Sequence, residues 1–117
     1  MDRKYTQEFT LLNAVTATGR GAIVSGMKRF YKDWTCEVTL TGAPTAVTLA
    51  VEGALNSTPV SPMTGSGGHI FTAEEIGQQK AMFEIIDAGA FFMRANLLTL
   101  TSGTSPTVTA KIRGIEK

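Results

Sequence analysis

FFMRANLLTLTSGTSPTVTAKIRGI, residues 91–115, alternates in its second half between apolar Val108, Ala110 and Ile112 and polar Thr107, Thr109, Lys111 and Arg113. Successive side chains of a strand point to opposite faces, so this spacing predicts a half-buried β-strand. The first half is more apolar. Phe91, Met93, Ala95 and Leu97 share one face, and Phe92, Arg94, Asn96, Leu98 and Leu100 share the other, which predicts a strand covered on both sides for part of its length. Between the halves, Gly103 tolerates positive φ and Pro106 fixes φ at a strand start, so TSGTSP predicts a chain reversal and the whole stretch a hairpin. Two strands this apolar cannot hide their oily face by themselves. The other ninety or so residues must supply the cover.

At 117 residues the chain fits one domain, large enough to hide roughly 65% of the surface that its unfolded form exposes. A composition of 43% hydrophobic and 18% charged residues excludes an intrinsically disordered chain, and a formal charge of +1 provides no field to steer it toward nucleic acid or membrane. Seventeen threonines, many Gly and Val, and few runs of Lys, Glu or Leu favour sheet over helix. Cys36 is the one cysteine, so no intrachain disulfide forms; its place in the row Trp34, Cys36, Val38, Leu40 makes it a small buried residue. The N-terminus has charges with no apolar run behind them, and no 18 successive apolar residues occur, so a soluble cytoplasmic protein is expected.

Taken in order, residues 1–8 are charged and polar and read as a flexible N-terminal arm, with residues 9–117 as a single β-sandwich domain. Phe9, Leu11, Asn13 and Val15 begin the first strand, and ATGRG interrupts it. Residues 35–41 and 45–52 form the cleanest alternating pair. Trp34, Cys36, Val38, Leu40, Val47, Leu49 and Val51 face inward, Glu37 and Glu52 face solvent, and Gly42-Ala43-Pro44 predicts a hairpin between the two strands. Residues 56–69 form the longest loop, without the ending or context of a phosphate loop. His69 lies in it without metal-ligand partners and reads as an exposed loop residue. Thr72-Ala73-Glu74-Glu75 matches a capping box and predicts a single turn of helix. Ala81, Phe83 and Ile85 then share one face of a strand, with a helix over 73–86 as the alternative. Gly89 is expected in the left-handed position of the next turn. Strand markers with turn signals every 8 to 15 residues predict an all-β fold, an antiparallel sandwich of about eight short strands, with Trp34 and Phe91 at the centre of its core.

Residues 27–33, MKRFYKD, interleave Lys28, Arg29 and Lys32 with Phe30 and Tyr31, the combination used by single-stranded nucleic-acid grooves. Asp33 follows directly and the chain is near neutral, and a solvated strand edge or a protein contact explains the same residues, so no nucleic-acid partner is expected. Arg3, Lys4 and Tyr5 of the arm, with Arg29, Phe30 and Tyr31, are the candidate partner-contact residues. Trp34 and Arg94 are the candidate structural ones. Arg94 sits on an apolar strand and needs a carboxylate or backbone carbonyls; a structural ion pair, for instance with Glu84 on a neighbouring strand, is expected over a ligand contact. With one histidine, one cysteine and three aspartates, no nucleophile and base are paired at recognisable spacing, so no enzyme activity, metal or cofactor is expected.

VTLTGAPTAVTLAVEGALN followed by RANLLTLTSGTSPTVTAKI resembles the small accessory virion proteins of tailed bacteriophages. The matching positions are Gly42, Pro44, Val47, Glu52, Gly53 and Leu55, then Arg94, Ala95, Asn96, Leu97, Gly103, Pro106, Thr107, Val108 and Thr109, within residues 34–115. The resemblance implies a jelly-roll-like capsid decoration or cement protein, a structural protein of the virion. It implies that the major capsid protein of a phage head is the partner, that the chain is a homo-oligomer, dimer or trimer, and that it meets the head in the host cytoplasm during assembly. A second expectation is a carbohydrate-binding or host-adhesion sandwich of a phage fibre or tail, using Trp34 and Tyr31 as a platform beside Lys32 and Asp33.

Overall fold

The computed structural model of the chain describes residues 4–25, 30–56, 58–59, 61–64 and 68–116, without the side chains of 4–6, 61 and 116. Among them are nine strands and one short helix: β1 (Lys4–Val15), β2 (Gly19–Arg20), β3 (Trp34–Thr41), β4 (Ala46–Ala54), β5 (Ser61–Pro62), β6 (His69–Ile70), α1 (Ala73–Gln78), β7 (Lys80–Ile85), β8 (Phe92–Thr101) and β9 (Thr107–Glu116). They form two antiparallel sheets, one ordered β1-β9-β3-β7 and the other β2-β8-β4-β5, with β6 also paired to β4. Apart from β4, β5 and β6, each successive strand changes sheet. That alternation, with β5 and β6 sharing one edge position, is the jelly roll, in which two sheets close over one apolar layer.

Both predicted hairpins are in fact arches between the sheets. β3 and β9 belong to one sheet while β4 and β8 belong to the other, so Gly42–Thr45 and 102–106 carry the chain across the core instead of back along a neighbour. The inward rows face each other in either geometry, which is why alternation alone mistakes one for the other. The two arches stack: Thr104 N donates to Gly42 O at 2.8 Å, and Thr45 N to Thr101 O at 2.8 Å. Gly42 is required here, because its φ is +79° and a Cβ would lie 2.4 Å from Thr104 O.

The core follows the alternation closely. Trp34, Cys36, Val38 and Leu40 meet Val47, Leu49, Val51, Met93, Ala95 and Leu97, with Val108, Ala110 and Ile112 beside them. Trp34 is fully buried and its Nε1 donates to Ala88 O at 2.8 Å. Phe91 is not at the core centre: it precedes β8 and is 37% exposed, and Met93 takes the central place. A register shift on β8 puts Thr48 opposite Thr99 but Leu49 opposite Leu97. The extra residue leaves Leu98 exposed and turns Leu100 back onto the core, so Leu100 is not on the outer face expected for it.

The arm reading fails for residues 4–8. They belong to β1, where Lys4 pairs with Glu116, Tyr5 with Ile115 and Glu8 with Arg113, because β9 is long enough to supply backbone partners that far. Bulges along β1 also bury both Leu11 and Leu12, which strict alternation would place on opposite faces. The capping box is present in full, and the left-handed Gln79 ends the helix after six residues. Between β7 and β8 the left-handed residue is Asp87, not Gly89. Gly89 serves space instead, since a Cβ there would lie 2.0 Å from Phe30 Cζ.

Candidate functional site

Three side-chain groupings stand out, and two of them are structural ties. The first lies on the outer face of the β2-β8-β4-β5 sheet. Glu52 and Arg94 are directly opposed on β4 and β8, and Arg94 Nε donates to Glu52 Oε1 at 2.8 Å. Arg20 Nε on β2 donates to the same oxygen at 3.2 Å. Glu52 is therefore not the solvent-facing residue expected, being 8% exposed. Burial by itself would raise its pKa, yet the hydrogen bonds and charges of Arg94 and Arg20 outweigh burial and hold the carboxyl below its usual range. Glu84, the expected partner of Arg94, pairs across from Thr35 in the other sheet and cannot reach it.

The second grouping closes one side of the sandwich. His69 Nε2 lies 3.1 Å and 3.3 Å from the two Glu75 oxygens, and its ring stacks on Phe83 at 4.2 Å with an interplanar angle of 12°. Glu75 Oε1 meanwhile accepts from Thr72 N at 2.9 Å in the capping box. Since β6 belongs to one sheet and β7 to the other, His69 is a clasp between sheet edges and not a free loop residue. A sequence signal for it existed in the Glu75 of the capping box, six residues downstream. Cys36, inside the core, has its thiol pushed up to about 12, by burial first and by neighbouring Glu37 second, and stays protonated at neutral pH.

The third grouping is exposed. Eight large apolar side chains stand out from the described surface, and five of them, Ile23, Phe30, Leu55, Ile86 and Phe91, belong to the end of the sandwich where β3 and β8 begin and β4 and β7 finish. Phe30, 53% exposed, packs against Phe91 with ring centroids 5.2 Å apart. Phe91 N donates to Ala54 O at 3.0 Å and Ala88 N to Lys32 O at 2.8 Å, which draws the three loops of this end together. Lys32 Nζ and Asp87 Oδ1, both exposed, sit 3.8 Å apart beside the apolar patch.

Of the predicted contact residues, Phe30 lies in this patch. Tyr31 does not: it is 4% exposed, with its ring edge-on to Trp34 at 5.3 Å. An aromatic platform for sugar made of Trp34 and Tyr31 is thereby removed from the surface. Lys4 and Tyr5 are placed by backbone pairing in β1, and Arg3 and Arg29 lie outside the described residues.

The sequence matches no known family model and no curated protein. Its fold is shared. The crystal structure of SPBc2 prophage-derived protein YomS superposes with a TM-score of 0.57 at 16% identity, covering 99% of this chain and 96% of that one. The likeness spans nearly the whole of both chains, and at this identity it is a likeness of fold.

Proposed function

We propose that the protein is a structural virion protein, a decoration or cement protein that binds the assembled phage head and bridges neighbouring capsid subunits. The observation that carries this reading is the jelly roll, shared along nearly the whole length of a prophage-derived protein. Jelly rolls recur in viral shells because a rigid sandwich presents loops and faces to neighbours without needing to move. Fold does not dictate function, so the reading leans equally on the apolar end patch, which is larger than isolated surface hydrophobics would make it. The chemistry-bearing side chains have structural employment: the histidine ties two sheet edges and the cysteine is a buried thiol. No catalytic role is assigned to them.

The partner in this reading is the major capsid protein. Cosedimentation of purified protein with expanded heads that lack it tests the proposal. Saturable binding that slows release of DNA from heated heads is the expected result; protein left wholly in the supernatant would overturn it.

A further inference from the structure

The tie at Glu52 leaves most of its donors unused. Two guanidinium groups meet one carboxylate, so the cluster keeps one positive charge, and both approach through Nε alone and onto the same oxygen. An arginine carries its N–H donors in a planar fork, most of them on the two terminal nitrogens. Neither Arg20 nor Arg94 commits its terminal nitrogens to a hydrogen bond with the described residues. Those of Arg94 are still within reach of solvent, because no buried side-chain nitrogen or oxygen of the described residues lacks a partner. A third donor lies beside them. Asn96 stands two residues along β8 from Arg94 on the same face, directly opposite Arg20 of β2, and Ala50, its neighbour on β4, has only a methyl group to offer. The Asn96 amide, half-buried, has no side-chain hydrogen bond with the described residues either.

We propose that Arg94, Arg20 and Asn96 form a binding site for a carboxylate group, with Glu52 behind them as the anchor that fixes both guanidinium groups. The edge of a guanidinium matches the two oxygens of a carboxylate, and the Asn96 amide supplies a further donor on the same face. The side chain of Arg94 is only 15% exposed, so water screens its charge less than it would at an open surface. Charge selects the ligand. One carboxylate brings the set to neutrality, whereas a phosphate group, carrying about −1.5 to −2 at neutral pH, would leave excess negative charge beside the sheltered Glu52. Burial works against ionisation of Glu52, but the hydrogen bonds and charges of Arg94 and Arg20 prevail, so the anchor stays charged at neutral pH. All four residues sit on three neighbouring strands and not on loops, which fixes their spacing before any ligand arrives.

Titration of the full, isotopically labelled chain with sodium acetate at constant ionic strength tests the site, followed by nuclear magnetic resonance of the arginine Nε–H and asparagine side-chain amide signals. Saturable shifts of the Arg94, Arg20 and Asn96 signals in the millimolar range, absent with sodium chloride, are the expected result. Arg20→Ala is expected to weaken the affinity for acetate by about tenfold and Asn96→Ala by about fivefold, each with an unchanged circular dichroism spectrum. Should Arg20→Ala disturb the sheet, Asn96→Ala decides, since it removes no side-chain hydrogen bond among the described residues. No saturable shift, tighter binding of inorganic phosphate than of acetate, or an affinity indifferent to these substitutions would overturn the proposal.

Discussion

At the scale of single residues, Glu52 shows how one oxygen can fix two strands. Its Oε1 accepts from Arg94 and Arg20, and the two guanidinium groups differ in what they risk. Arg94 is mostly buried, so Arg94→Ala leaves a sheltered carboxylate short of its main donor and is expected to cost about 1–3 kcal/mol. Arg20 is half exposed, and Arg20→Ala is expected to cost less than about 1 kcal/mol. Urea unfolding of both variants measures the difference, and equal costs would show that burial does not set the ranking.

The same carboxylate carries a pH dependence. Its folded pKa lies below the ordinary 4.5, so the unfolded chain takes up the proton first on acidification. The stability it contributes is present above about 4.5 and is lost as pH falls through the lower folded value. Glu52→Gln is thus expected to be less stable than wild type near neutral pH and to converge with it on acidification toward pH 3, as read by urea midpoints across a pH series. A gap that widened on acidification would contradict the assignment. Cys36 gives a third residue-scale expectation. With its thiol buried and protonated, iodoacetamide should leave native protein unlabelled at pH 8 and label it fully in denaturant.

At the scale of elements, the first strand is the one most changed by the structure. Residues 4–8 read as an arm because they lack an apolar row, yet β9 offers them backbone partners and Arg113 Nη2 donates to Glu8 Oε2 at 3.2 Å. Deleting residues 1–8 is therefore expected to lower the melting temperature by several degrees, corresponding to about 1–2 kcal/mol for part of an edge strand and one exposed ion pair. An unchanged melting temperature would return these residues to the status of an arm. Strand positions were legible in the sequence because alternation reports which side chains face the core, as Trp34, Cys36, Val38 and Leu40 do. Strand partners were not legible. A Gly-Pro connection between two alternating runs reads alike whether the runs pair side by side or face each other across the core, and the partner of Arg94 was misread for the same reason. Local signals that depend on a few neighbouring residues survived intact, the capping box of Thr72 and Glu75 being the clearest.

At the scale of the whole molecule, the jelly roll separates its tasks by pole. One end is sealed by stacked arches held by main-chain hydrogen bonds, and the other brings three loops together under an exposed aromatic pair. Between them, the outer face of the β1-β9-β3-β7 sheet mixes Glu8, Glu37 and Glu84 with Lys80, Lys111 and Arg113, a balanced and well-solvated surface. The sequence pointed to Phe30 in the apolar pole but missed Phe91, Leu55 and Ile86, which only the crossing of the chain between sheets collects in one place. A molecule so arranged has one apolar end and one end closed by main-chain hydrogen bonds.

The measurement that bears most directly on this account is electron cryomicroscopy of the parent phage head, stripped of the protein and then restored with the purified chain. Restored heads should carry added density of jelly-roll size on the outer shell where capsid subunits meet, and stripped heads should lack it. Restored and stripped heads without any difference in the shell, or the added density found only on the tail, would contradict the proposed decoration role.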